Sequence, residues 1–201
     1  MVPLAGRFAM SKRRRFAVFR LLAPWLLAVA VPVAMADKAD AYVDEHDVQV
    51  SRAESHFSVN MDVHAPVPLA TAWEVLTDFE HMASFVGNLD SSEVLERRDN
   101  NSLRIRQTGK ARFGIFSSEF STEREIVLTP MREILAHGTG GNIKRMESRM
   151  RIEPEEGGVR LRYHAEVEPD FWLPPLIGPS MVRHETAEQF SAMIREMLRR
   201  R

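Results

Sequence analysis

The chain has 201 residues, of which 44% are hydrophobic, and this suits one globular domain with short extensions. Its formal net charge of -1 is unevenly distributed: six basic residues and no acid precede residue 37, which leaves 21 basic against 28 acidic residues in the remainder. The acidic remainder argues against sequence-independent nucleic-acid binding, which depends on phosphate neutralisation, and the lack of cysteine excludes disulfides and thiol chemistry.

Residues 1–36 are predicted to be a cleavable signal peptide. The basic stretch SKRRRFAVFR precedes a 14-residue apolar run at Leu21–Ala34, which is too short to span a bilayer comfortably. Small residues at Ala34 and Ala36 predict cleavage after Ala36 and a periplasmic or secreted mature protein. The sequence leaves open an uncleaved membrane anchor, and also a start at Met1 or at Met10.

The mature chain is predicted to begin with a flexible segment, residues 37–47, followed by one domain, residues 48–201. The first of these, DKADAYVDEHD, is mostly polar. HFSVNMDVHA, from His56, alternates apolar and polar residues and predicts a half-buried strand. A helix follows, with Pro68 in its first turn. Its apolar face is formed by Leu69, Trp73, Leu76 and Phe79.

Six further segments alternate between apolar and charged residues and are separated by short turns, which predicts an antiparallel meander. In order, they are SSEVLERR, SLRIRQTGKARF, FSSEFSTEREIVL, REILAHGTGG, KRMESRMRIEP and VRLRYHAEVEP. A sheet with one apolar face must be covered on that face. The chain ends in an amphipathic helix with Phe190, Met193, Ile194 and Met197 on one side. We therefore predict an α+β domain, a curved sheet of about seven strands wrapped around this helix.

The stretch Val63–Arg97, VHAPVPLATAWEVLTDFEHMASFVGNLDSSEVLER, resembles the opening of the START-like (SRPBCC) superfamily, in particular its polyketide cyclase/dehydrase and coenzyme Q-binding branch. The strand ending in AP, the LTDFE corner and the terminal helix after LPPLIG carry the resemblance, which extends over residues 55–198. It implies the helix-grip (Bet v 1-like) fold with a deep cavity between sheet and C-terminal helix. It also implies binding of an apolar molecule such as a lipid, an isoprenoid quinone or a polyketide-like compound.

Ten residues are predicted to contact this ligand, because they lie on inward-facing strand positions, on the apolar helix face or before that helix. They are Gln107, Phe120, Thr122, Arg124, Met146, Ser148, Tyr163, Trp172, Phe190 and Met193. Methionine surfaces adapt to varied apolar guests, and the polar members of the set can orient a ligand. The alternative interpretation of the Phe and Met stripe is a filled core without a pocket.

Arg124 is the most informative of the ten. By alternation it shares a face with Phe120 and Ile126, and a buried arginine requires an acidic partner or an anionic ligand. It either anchors a carboxylate, a phosphate or a quinone oxygen, or a one-residue slip turns it outward, or an acid such as Glu147 pairs with it.

The sequence predicts no metal site, no cofactor and no catalytic residue. The seven histidines lack metal-binding spacing, and no nucleophile elbow is present. The first alternative to a binding protein is an enzyme of the cyclase, dehydratase or hydrolase type, in which Arg124 or Tyr163 polarises a carbonyl in the same cavity. The second is an envelope module that binds another protein through the charged face of the sheet.

The segment Phe171–Pro179, FWLPPLIGP, precedes the last helix and has two interpretations. It is a lid or a lip that touches a membrane transiently, since exposed apolar patches often mark interaction sites. Alternatively, it is a rigid proline-rich connector packed on the sheet.

Overall fold

The computed structural model describes residues 42–99, 101–113, 116–170 and 176–201, without the side chains at 113 and 116. These residues form β1 (Val48–Ala53), β2 (His56–Ala65), α1 (Leu69–Thr77), β3 (Leu89–Arg97), β4 (Ser102–Phe113), β5 (Phe116–Thr129), β6 (Glu133–Gly141), β7 (Ile143–Glu155), β8 (Gly158–Pro169) and α2 (Gly178–Arg200). The predicted signal peptide lies outside the described residues. Within them, no helix is long and apolar enough to cross a membrane.

One antiparallel sheet contains all the described strands, in the order β1-β2-β8-β7-β6-β5-β4-β3. Alternation along each strand turns apolar residues to one face, as in β2, where Phe57, Val59, Met61 and Val63 are buried. The long helix α2 covers this face and buries Phe190, Ile194 and Met197 against it. The predicted α+β helix-grip fold is confirmed.

The N-terminal end of the domain differs from the prediction in two ways. The sheet has eight strands rather than about seven, because β1 pairs with β2 at its edge. Residues 42–47 are also not a free tail: Val43 is 1% exposed, and its backbone N–H donates to Ser191 Oγ on α2 at 3.1 Å. The 3-10 turn Glu45–Asp47 is closed by the carboxylates of Asp44 and Asp47. The prediction of flexibility is therefore wrong for residues 42–47, and residues 37–41 lie outside the described chain.

The C-terminal end of α2 is held by an ionic cluster. The Glu196 carboxylate accepts hydrogen bonds from Arg199 Nη2 at 2.6 Å and Arg200 Nε at 2.7 Å, and its side chain is 8% exposed. Arg200 also donates to Asp78 Oδ2 at 2.8 Å, at the end of α1. The hydrogen bond from Arg199 is the main cause that lowers the pKa of Glu196 to about 2.

We expect Glu196→Gln to weaken the acid sensitivity of the fold. The pKa of Glu196 is about 2 in the folded protein and near 4.5 in an unfolded chain, so its carboxylate stabilises the fold above pH 4.5. This contribution, at most about 3 kcal/mol, is lost as pH falls from there towards the folded-state value. The variant should be less stable at neutral pH and should lose less stability on acidification. Urea unfolding followed by circular dichroism measures both effects.

Glu188→Gln is the matched control for that experiment, since Glu188 is an exposed carboxylate on the same helix. Its substitution should leave the pH dependence of the free energy of unfolding close to that of the wild type. Parallel pH profiles for the wild type and Glu196→Gln would contradict the role assigned to Glu196.

Candidate functional site

A cavity of about 220 Å³ lies between the concave face of the sheet and the first half of α2. Its wall is mostly apolar, with Val59, Leu89, Ala111, Phe120, Ile143, Met146, Ala165, Val167, Pro169, Met181 and Val182. The polar side chains on the wall are Asn88, Gln107, Thr122, Arg124, Tyr163, Glu185, Thr186 and Gln189. The volume far exceeds the space that one buried water needs, and an apolar wall with a few convergent polar groups is typical of a small-molecule site.

The two halves of α2 serve different purposes. From the first half of α2 the cavity is lined by Met181, Val182, Glu185, Thr186 and Gln189. The closed core beyond it contains Phe190, Ile194 and Met197. The boundary is formed by the rings of Tyr163 and Phe190, whose centroids are 5.0 Å apart at 55°. The final helix therefore grips the protein's own sheet along its second half and leaves space along its first half.

Arg124 points into the cavity from β5. It lies opposite Ile105 on β4 and Gly138 on β6, and the irregular register next to it places the extra residue on β6, so the alternation of β5 is undisturbed. The predicted alternative of an outward-facing Arg124 is thus wrong. Pairing with Glu147 is also wrong, since Glu147 bonds His137 Nδ1 at 2.6 Å.

The guanidinium of Arg124 is held by a neutral partner. Its Nη2 donates to Gln107 Oε1, and Gln107 Nε2 in turn donates to Ser92 Oγ at 2.9 Å. The Ser92 hydroxyl donates to the carbonyl of Phe79, so the chain of hydrogen bonds ends on the backbone. This arrangement fixes Arg124 without neutralising its charge.

Burial dominates the electrostatics around Arg124. It lowers the pKa of Arg124, and the only opposing contribution comes from Tyr163 rather than from a carboxylate. It likewise raises the pKa of Tyr163, against smaller opposing effects of Arg124 and of a hydrogen bond with Ser148. An arginine remains protonated despite such a shift, so the cavity contains a cation next to a neutral phenol.

The ten predicted ligand contacts are distributed over three places. Six of them lie on the cavity wall: Gln107, Phe120, Thr122, Arg124, Met146 and Tyr163. Three others do not reach the cavity. Ser148 forms a hydrogen bond with Tyr163, Phe190 packs on the ring of Tyr163, and Met193 lies in the closed core. Trp172 lies outside the described residues. Ligand contact by all ten remains a prediction.

Sequence reasoning missed four polar residues of the wall: Asn88, Glu185, Thr186 and Gln189. Glu185 Oε2 accepts from Asn88 Nδ2 at 2.7 Å, and its Oε1 accepts from the backbone N–H of Arg112, so α2 is tied to β4 and to the start of β3. Asn88 Oδ1 is buried without a hydrogen-bond partner. Glu185 lies four residues before Gln189 and so on the same side of α2, but this spacing alone does not mark either residue as part of a cavity wall.

A larger concavity, of about 560 Å³, lies on the opposite, charged face of the sheet. Its arginines are paired: Arg162 with Asp62 at 3.1 Å and with Glu153 at 2.8 Å, and Arg151 with Glu133 at 3.2 Å. This surface offers a ligand mainly ion-paired side chains, so the inner cavity is the better candidate site. In the described part of the chain, no group of His, Asp or Glu side chains is arranged to hold a metal ion.

The sequence profile of the family described as polyketide cyclase / dehydrase and lipid transport matches residues 65–193. The chain belongs to this family. The matched span runs from the end of β2 into α2 and includes the ring pair Tyr163 and Phe190. Membership agrees with the resemblance to the polyketide cyclase/dehydrase branch, whereas the coenzyme Q-binding part of that resemblance stays a prediction. No curated protein matches the chain significantly.

Solved structures with the same fold confirm the START-like architecture of this family member. An aromatase/cyclase from Streptomyces sp. R1128 is 17% identical, with a TM-score of 0.61 over 72% of this chain and 95% of that one. A START superfamily protein from Mycobacterium smegmatis is 13% identical, with a TM-score of 0.61 over 72% and 99%. A STAR-related lipid transfer protein fragment from Xanthomonas axonopodis is 11% identical, with a TM-score of 0.59 over 76% and 99%. At these identities the likeness concerns the fold alone.

Proposed function

We propose that the protein is an exported carrier or sensor that binds an apolar small molecule between the sheet and α2. The observation that carries the proposal is the cavity of about 220 Å³, with its largely apolar wall and the half-buried Arg124, whose Nε is buried, at one side. The family description, together with relatives named as a lipid transfer protein and an aromatase/cyclase, supports lipid-like or polyketide-like ligands. Export is supported by the sequence pattern of residues 1–36.

Contact with a membrane is part of this proposal. Leu176, next to the start of α2, is 94% exposed, which supports an apolar lip through which a ligand enters from a bilayer. The rest of the predicted lip, residues 171–175, lies outside the described chain.

Native mass spectrometry tests the proposal. The protein is expressed with its own leader, collected from the cell envelope and purified without detergent. We expect a defined extra mass that extracts into organic solvent, on a chain that begins at Asp37. A clean ligand-free mass that also fails to change on incubation with an envelope lipid extract would contradict the carrier.

A cyclase-type enzyme is the second candidate, favoured by one observation: Arg124 and Tyr163 face the same cavity and interact electrostatically. Together they can polarise a carbonyl oxygen of a bound polyketide-like molecule. A Tyr163→Phe variant separates the candidates, because a carrier should keep its extracted ligand whereas an enzyme should lose turnover with its fold intact.

A further inference from the structure

We propose that the natural ligand is a carboxylate, an apolar molecule with one ionised acid group that binds Arg124. This inference rests on the proposed function, because it names the class of molecule that the same cavity takes. It follows from the charge balance of the wall, from the geometry of the guanidinium and from the position of Arg124 along the cavity.

Arg124 is the one cation among the described residues of the cavity wall. Its Nη2 donates to the neutral Gln107, and its Nε is buried without a hydrogen-bond partner. Among the described residues no carboxylate forms a hydrogen bond or an ion pair with Arg124, and Tyr163 is the only group that opposes the effect of burial on its pKa. A buried charge without a counter-ion is unfavourable, and an unsatisfied buried N–H adds to the penalty, so the site is incomplete without an anion.

Glu185 does not fill this role, although it lies on the same wall. Both of its carboxylate oxygens accept hydrogen bonds elsewhere, one from Asn88 Nδ2 at 2.7 Å and one from the backbone N–H of Arg112. The carboxylate of Glu185 is thus satisfied by neutral donors, and Arg124 remains available to a negatively charged ligand.

The number of charges selects a carboxylate over a phosphate monoester. A planar guanidinium presents parallel N–H groups that match the two oxygens of a carboxylate. A phosphate monoester carries close to two negative charges and calls for a second cation, which the described wall does not provide. One arginine therefore balances one carboxylate.

The position of Arg124 sets the orientation of the ligand. On the same face of the sheet, Ile105 and Ile126 are fully buried beside Arg124, and the Tyr163 and Phe190 rings close the cavity there. Apolar residues line the rest of the cavity towards the first turns of α2: Val59, Met146, Ala165, Val167, Met181 and Val182. The acid group lies at the closed end, and the apolar part extends towards the start of α2.

Three probes with the same chain test the inference by isothermal titration calorimetry at neutral pH: decanoate, decan-1-ol and methyl decanoate. The delipidated wild type should bind decanoate about 10- to 100-fold more tightly than either neutral probe, the range expected for hydrogen bonds to a charged group. Arg124→Met should lose this preference and keep its affinity for decan-1-ol. Arg149→Met, on the charged outer face, should retain the preference of the wild type.

Each outcome has a separate meaning. Equal binding of all three probes by the wild type overturns the carboxylate and leaves the apolar carrier intact. If no probe binds to the wild type, both the carboxylate ligand and the apolar carrier are overturned. A preference for decanoate that survives in Arg124→Met also overturns the assignment, because the acid group would then bind elsewhere. The comparison within the wild type decides the matter even if a variant fails to fold.

Discussion

Arg124→Met should raise the free energy of unfolding of the delipidated protein by about 1–2 kcal/mol, although it removes the residue to which we assign the selection of the ligand. Replacing a buried charge by an apolar side chain of similar length is often neutral or stabilising, and Arg124 lacks a carboxylate partner that the change would strand. Gln107 Oε1 loses its donor, but it faces a cavity in which water can replace it. Urea unfolding followed by circular dichroism measures the difference.

Arg149→Met provides the control for that measurement. Arg149 lies on the outer face, where its ion pair with Glu133 at 3.4 Å is open to solvent, so its removal should change stability by less than about 0.5 kcal/mol. A clear loss of stability in delipidated Arg124→Met would contradict the absence of a counter-ion, since breaking an existing buried ion pair is strongly destabilising.

Gly109→Ala should destabilise the fold by about 3 kcal/mol and disturb the cavity at the same time. A Cβ atom at this position would lie 2.0 Å from the carbonyl oxygen of Asn88 and 2.8 Å from Phe120 Cζ. The first contact is with backbone, so no rotamer change relieves it. Moving Asn88 breaks the hydrogen bond that its carbonyl accepts from Lys110 N at 2.9 Å and shifts its side chain away from Glu185.

Gly87→Ala is the matched control, one residue before Asn88. Gly87 is exposed, and a Cβ atom there meets no heavy atom within 4 Å. Its substitution should change the free energy of unfolding by less than about 0.5 kcal/mol. Similar unfolding curves for the two variants would show that the backbone around Asn88 yields easily, in contradiction to the tight packing described here.

Much of the fold could be predicted because successive side chains of a strand point to opposite faces of the sheet, so that alternation in the sequence shows which residues are buried. Leu103, Ile105 and Gln107 were placed on one face of β4 by alternation, and all three are buried. The same reasoning placed Arg124 inward. Alternation alone could not decide whether a bulge would turn Arg124 outward, because the extra residue of a bulge can lie on either strand of the β5–β6 pair. In the structure the extra residue lies on β6.

Other features depend on contacts between distant parts of the chain. Val43 is the only aliphatic residue larger than alanine in a mostly polar segment, so no local pattern predicts its contact with Ser191. Helical periodicity predicted which side of α2 is apolar, but not that Met193 would meet the core while Glu185 meets the cavity. The division of α2 into a half that lines the cavity and a half that fills the core depends on where the sheet curves away from the helix. The spacing of apolar residues in the sequence carries no information on that curvature.

In the sheet β2 lies between β1 and β8, and its pairing with β8 brings Asn60 and His164 together across 104 positions of sequence. Val43 and Ser191 meet across 148 positions. Contacts of such long sequence separation raise the contact order, and a high contact order slows folding. During synthesis the strands from β3 to β7 can pair with their neighbours as they emerge, while their apolar face stays uncovered until the 23-residue helix α2 follows. The nascent chain is thus exposed to aggregation along the surface that later encloses the cavity, until α2 has been made and packs on it.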